Sequence, residues 1–533
     1  MKKIFTMALL FNGFIYASDP YPRNPAVDVQ HYKFKIEVSD ATNKIAGQAE
    51  LTIKFAQATK QFYLDLVGES GRGSGMKVSR ITSSNVQIAF EHKSDRLLLK
   101  PDEEIPGGSI LQFRILYEGI PNDGLVISTN KYGDRTFFGD NWPNRARHWL
   151  PSVDHPSDKA SCEFIVVAPN HYQVIGNGVK LEQTNLDGNR MLTHWREQVA
   201  IPTKVMVIGI ARFAVTTAGF VNHIPVETWV YPQNKAEGFY DFKIAIPVLD
   251  YFQQHIGPYP YQKLANVQST TRFGGMENAS NIFYFENSVT GKSEREDLIA
   301  HEVAHQWFGD SASEDDWYHV WLSEGFATYF TNLYLENRYG RDKLTEKMRD
   351  QREAVVDYHK KSPTPIIDTS ITDINRVLNT NAYQKGGWFL HMLRHHMGDD
   401  AFWQGIREYY KTYKNDNALT EDLRVVMERV SGIDLNGFFR QWLELPGHPV
   451  LDLTWKYNAK AKKLDIEVRQ TQEVPFEVEL DLGIDDLAGG REVLTLRLSE
   501  TNTKLTVDMP YRPEKVVLDP ETWLLYEPLN SNK

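Results

Sequence analysis

Apolar residues alternate with polar ones through the first third of the chain. Tyr32, Phe34, Ile36 and Val38 are separated by Lys33, Lys35 and Glu37, and Ala49, Leu51, Ile53 and Phe55 by Glu50, Thr52 and Lys54. A period of two is that of a strand with one buried face. Arg96–Leu99 and Ile110–Tyr117 continue the theme, and Gly, Asn, Asp and Pro punctuate the runs, which predicts a large antiparallel β assembly. The period changes near 235. Phe239, Phe242, Ile244, Val248, Leu249 and Phe252 fall on or near one side of a helix over 236–255, which Gly257-Pro258-Tyr259-Pro260 stops. A strand-like run, Leu264–Gln268, follows, and then a mostly helical pattern to about 443. Leu445-Pro446-Gly447-His448-Pro449 breaks it, and alternation returns at Leu451, Leu453 and Trp455, then at Leu464, Ile466 and Val468. The expected division is an N-terminal all-β domain at 19–222, an α+β domain at 223–444 and a C-terminal β-sandwich at 445–533.

Residues 1–18 have a different character. Lys2 and Lys3 precede a mainly apolar stretch from Ile4 to Ala17, after which Ser18-Asp19-Pro20 ends it. This is the pattern of a bacterial-type signal peptide, with export to the periplasm or the medium as the expectation. The stretch is too short for an ordinary membrane span, so no stable insertion is expected after cleavage. The net charge of −11 and the lack of a strong basic run argue against nucleic acid as a partner. Cys162 is the only cysteine, and its apolar neighbours Phe164, Ile165 and Val166 mark it as a core residue.

The candidate chemistry lies at His301-Glu302-Val303-Ala304-His305. On a helix, residues four apart share a face, so both imidazoles can reach one metal ion with Glu302 beside them. Ser293 and Glu296 have capping-box spacing for the start of that helix, and Gly309 is placed to end it. Glu324 lies 19 residues after His305, near the start of a second helix that Ser323 can cap. Two antiparallel helices would return this carboxylate to the two histidines. Two imidazoles and one carboxylate form a catalytic zinc set with a position left for water, implying one Zn2+ per chain. Zinc lowers the pKa of bound water toward 7, and Glu302 is placed to take its proton and pass it to a leaving amine.

HExxH followed by 18 residues and Glu resembles the gluzincin metallopeptidases. Further segments resemble the M1 aminopeptidase family within them: Gly274-Gly275-Met276-Glu277-Asn278, Ile256–Tyr261, Tyr383-Gln384-Lys385-Gly386, Phe438–Trp442 with Pro446–Pro449, and Ala146–Pro151 with Asp154–Pro156. The resemblance implies a thermolysin-like catalytic domain. It also implies that Glu277 binds the substrate's free α-ammonium, that Gly274, Gly275 and Met276 meet the peptide backbone, and that Tyr383 donates to the oxyanion. In many relatives a first-domain glutamine or glutamate assists at the ammonium, and counting back from Arg147 makes Asp140 the candidate here. Many relatives carry a large helical C-terminal domain; three domains, the last of them the predicted sandwich, are the expectation here.

The resulting expectation is a zinc aminopeptidase acting on peptides with a free N-terminus, its oligomeric state open with a monomer favoured. The main alternative is a thermolysin-type zinc endopeptidase, which shares the metal set but does not need Glu277. An epoxide hydrolase and a non-catalytic β-rich binding protein are further rivals.

Overall fold

The two clearest alternating runs form strands Val27–Glu37 and Ile45–Phe55, which pair antiparallel. Their inward side chains, among them Tyr32, Phe34, Ile36, Leu51 and Ile53, are fully buried. These and the statements below come from a computed structural model that describes residues 19–529 apart from positions 72 and 85. The expected signal segment, 1–18, lies outside the described residues.

These strands sit in a seven-stranded sheet. It is antiparallel except at one joint, where Val27–Glu37 runs parallel to Lys159–Pro169. The expectation of a wholly antiparallel assembly is corrected there. A parallel pair needs a long connection, and here smaller sheets built from the intervening chain supply it.

The predicted boundary at 222/223 is also corrected. Ala214–Val221 pairs with Ile224–Val230 in a five-stranded sheet belonging to the catalytic region. The break therefore falls between Ala211 and Ala214. Alternation marks a strand but not the sheet it joins. In that sheet, Leu264–Ser269 is buried at every position, because both faces are covered. On the next strand, Phe283 meets Phe138 of the first domain at 5.3 Å between ring centroids, and Tyr284 meets Phe242 of the helical layer at 4.8 Å. Successive residues thus serve opposite faces. Gly275–Met276 pairs with Asn281–Phe285 and ends the sheet, so its other edge is unpaired by any strand among the described residues.

The helix expected over 236–255 is two helices, Lys235–Asp241 and Ala245–His255, joined by a tight turn at Phe242–Ile244. Pro247 lacks an amide hydrogen and its ring crowds the carbonyl of Lys243, which places the break there. The Asp241 carboxylate accepts from the amides of Thr290, Gly291 and Ser293 at 2.7–2.8 Å and fixes the lead-in to the next helix.

Glu296–His305 packs against Trp321–Tyr339, which in turn packs against Gly386–Met397. The last two cross very closely: a Cβ at Gly325 would lie 3.0 Å from the Gly386 Cα. That contact draws the turn at Asn381–Lys385, and Tyr383 with it, onto the helix that carries Glu324. Beyond Glu444 a four-stranded and a three-stranded sheet form the C-terminal β domain from Val450 onward. No helix among the described residues is long and apolar enough to cross a membrane.

Candidate metal centre and adjoining pocket

The Glu296–His305 helix starts differently from the expectation. Ser293 has φ +53° and its amide is held by Asp241, while Glu296 accepts from the hydroxyls of Tyr334 and Tyr339 and pairs with Arg338. The capping box is therefore not formed; tertiary partners claim both of its members. Ser323 is likewise not a cap, since its helix begins at Trp321. Its hydroxyl lies 3.1 Å from His305 Nδ1, which also faces the Phe308 carbonyl at 3.1 Å. An Nδ1–H donated to that carbonyl leaves the Nε2 lone pair free to bind a metal. Gly309, at φ +123°, makes room for this arrangement: a Cβ there would sit 2.3 Å from Ser323 Oγ.

His301 Nε2, His305 Nε2 and Glu324 Oε2 form a nearly equilateral triangle, with separations of 3.1, 3.4 and 3.3 Å. Ligands about 2.0–2.1 Å from a tetrahedral zinc lie roughly 3.3–3.4 Å apart, so the donor set fits that ion. Glu324 Oε2 is buried and has no hydrogen-bond partner, as expected of an atom whose partner is a cation. Burial opposes ionisation of Glu324, but the two histidines outweigh it and hold the carboxylate far below its usual range.

Glu302 is buried beside this triangle, and a second group of close donors joins Glu302, His305 and Glu277. Burial raises the pKa of Glu302 well above a normal carboxylic acid; His305 opposes the rise, and Glu277 and Glu324 add to it. A basic carboxylate in a dry site suits proton transfer. Gly275 has a second reason to be glycine: a Cβ would lie 2.2 Å from Glu302 Oε1. Gly274, by contrast, has open space above it, met only by Leu298 at 4.0 Å.

Glu277 is 5% exposed and its Oε1 is buried without a partner. Its backbone carbonyl accepts from Gln306 Nε2 at 2.6 Å. Gln306 also donates to Asp310 Oδ2 at 2.9 Å and accepts from the Ser280 amide at 2.7 Å. It follows His305 directly, so one side chain ties the segment after strand Gly275–Met276, which carries Glu277, to the helix bearing the histidines. Neither Gln306 nor Ser323 in this role is visible in spacing alone, since their partners are distant in sequence.

Tyr383 stacks on His301 with centroids 5.9 Å apart. Burial, reinforced by Glu324, Glu277 and Glu302, raises its phenol well above the usual tyrosine value, so it stays a proton donor. Tyr383 joins His301, Glu302, His305, Glu324, Glu277, Gly274, Gly275 and Met276 around one pocket of about 240 Å³. Asp140 does not line it. Its Oδ1 accepts from Arg145 Nη2 at 2.6 Å in a buried pair, and its Oδ2 is buried without a partner. Trp142, two residues on, lines the pocket instead. Counting along a loop gives positions but not which side chain the loop turns inward.

Comparison with known proteins agrees with this geometry. Residues 28–205 match the peptidase M1 N-terminal domain, and residues 240–442 match the peptidase family M1 domain. Aminopeptidase 2 of Candida albicans is 25% identical over 460 residues, 81% of this chain and 48% of that protein. The chain spans about half the length of the curated relatives it matches. An M1 zinc metallopeptidase from Deinococcus radiodurans superposes with a TM-score of 0.69 at 24% identity, over 80% of this chain and 95% of that one. Legionella pneumophila aminopeptidase A, solved with aspartic acid, gives 0.83 at 16% identity, over 97% of this chain and 61% of that one. These two share the fold. With both of its domains matched in order and the motif residues gathered in one pocket, the chain belongs to peptidase family M1.

Proposed function

We propose that this protein is a zinc aminopeptidase that removes residues one at a time from the N-terminus of peptides. The observation that carries the reading is Glu277: a buried carboxylate with an unpartnered oxygen, held in the same pocket as the donor triangle. A buried carboxylate needs a cation. The α-ammonium of a peptide supplies one, and its fixed distance from the donors selects the first peptide bond. A thermolysin-type endopeptidase has no use for such a group.

His301, His305 and Glu324 would hold zinc, which supplies Lewis acidity and an acidified water when bound. Glu302 accepts the proton of the attacking water and delivers it to the leaving amine. The Tyr383 phenol donates to the oxygen that gains charge, a contribution of about 3–4 kcal/mol when such a donor is well placed. The peptide backbone lies along the open edge of Gly275–Met276 as an added strand, where Gly274 leaves room. Export is part of the same proposal, supported by Lys2, Lys3 and the apolar stretch that follows; cell fractionation with N-terminal sequencing of the mature chain checks it.

Turnover of matched free and N-acetylated peptides tests the reading. Free peptides should be cleaved and acetylated ones should resist. Equal rates would overturn it in favour of an endopeptidase.

A further inference from the structure

The pocket beside the donor triangle is lined by two chemically different sets of side chains. Glu277, Glu302, Glu324 and the two histidines make one of them. Trp142, Phe273, Met276, Leu298 and Leu378 make the other. Trp142 is 3% exposed and is packed edge-on against Phe273 at 6.3 Å and Trp317 at 5.5 Å, so its indole is a fixed surface. Phe273 is 37% exposed and so keeps one side of the wall open to solvent.

The charged groups nearest this wall in sequence are engaged elsewhere. Arg272 donates to Asp123 Oδ1 at 2.8 Å, and Arg145 donates to Asp140 Oδ1 at 2.6 Å. Among the described residues, no lysine or arginine lines the pocket.

We propose that these apolar residues receive the side chain of the substrate's N-terminal residue and select large apolar ones such as methionine, leucine and phenylalanine. Trp142, Phe273 and Leu378 are the specificity-determining residues. This rests on the aminopeptidase reading: an ammonium held at Glu277, with the first carbonyl carbon at the donor triangle, leaves its side chain facing the remaining wall. An acidic side chain would enter a pocket whose lining holds three glutamates and neither lysine nor arginine, at a cost in both repulsion and lost hydration. A lysine or arginine side chain would strip its charge of water against an indole and two leucines. Alanine leaves the wall unfilled. Burying a leucine-sized side chain is worth about one to two factors of ten in affinity over leaving it exposed.

The test is kcat/KM of the zinc-loaded enzyme on fluorogenic substrates carrying Met, Leu, Phe, Ala, Glu or Lys. Leucine is expected to exceed alanine by on the order of 10- to 100-fold, with Glu below alanine. Phe273→Ala and Leu378→Ala should each lower the leucine-to-alanine ratio severalfold, and Leu378→Arg should raise the glutamate-to-leucine ratio. A ratio taken within one preparation is insensitive to the fraction of folded enzyme. Preference for Glu or Lys over leucine, or ratios unmoved by all three variants, would overturn the proposal while leaving the aminopeptidase reading intact. Failure to turn over any free-amine substrate would overturn that reading, and this inference with it.

Discussion

Glu302 and Tyr383 separate metal binding from catalysis, because neither is a donor in the triangle. Glu302→Gln should lose on the order of 10²–10⁴ in kcat while zinc content by metal analysis stays near one per chain. Tyr383→Phe should lose about 10²–10³ in kcat with a smaller change in KM, since its donor acts on charge that develops during reaction. Zinc loss in either variant would mean that it acts through the metal site instead. His305 adds a pH signature. Burial opposes a charge on it, but Glu324, Glu277 and Glu302 outweigh that effect and raise its pKa to about 10. The metal-free enzyme therefore carries a proton there at neutral pH, and zinc must displace it. Titration calorimetry in buffers of different ionisation enthalpy should show proton release on zinc binding, with affinity rising as pH rises toward 10. Heats independent of buffer would contradict this. The residues with the sharpest chemistry were legible in sequence because helical spacing alone puts His301, Glu302 and His305 together. The inward turn of Trp142 was not legible, because it is decided by how the loop folds.

At the scale of elements, the segment carrying Glu277, just past strand Gly275–Met276, and the helix carrying the histidines are joined by Gln306. Gln306→Leu should leave the Glu277 carbonyl and the Ser280 amide buried without partners, at a cost of about 1–3 kcal/mol each. It should also raise KM for free-amine substrates more than it lowers kcat, because it loosens the ammonium site rather than the metal site. An unchanged KM with lowered stability would reduce Gln306 to a structural role. Element types were well foreshadowed by periodicity, whereas element ends were not. The Ser293–Glu296 box failed because Asp241, Tyr334 and Tyr339 bid for the same groups. Helix 236–255 breaks at Phe242–Ile244, one turn before Pro247, although its apolar pattern runs through. The first difference arises where a local rule competes with partners distant in sequence, the second where one local rule, the proline's, outweighs another.

Across the whole molecule, the first domain grips the segment between the two donor helices. Lys204 and Glu314 form an ion pair with side chains 1% and 0% exposed, and Arg23 reaches Asp315 and Asp316. Lys159 Nζ donates to the carbonyls of Asp310 and Ser311 and meets Ser313 Oγ at 3.0 Å. Lys204→Met should therefore cost about 3–5 kcal/mol by stranding Glu314, and adding Glu314→Leu should recover much of it. Chemical denaturation of the single and double variants measures this; equal loss in both would show that packing rather than charge is at stake. Domain order was readable from the change of period along the chain, but the grip between domains was not, because no pattern within one segment records its partner in another. The central claim is that these domains together measure from a peptide's N-terminus. Mass spectrometry of a peptide sampled during digestion by the zinc-loaded enzyme tests it most directly. A ladder of products shortened from the N-terminus, one residue at a time, is the predicted result; early fragments from internal cleavage would contradict it.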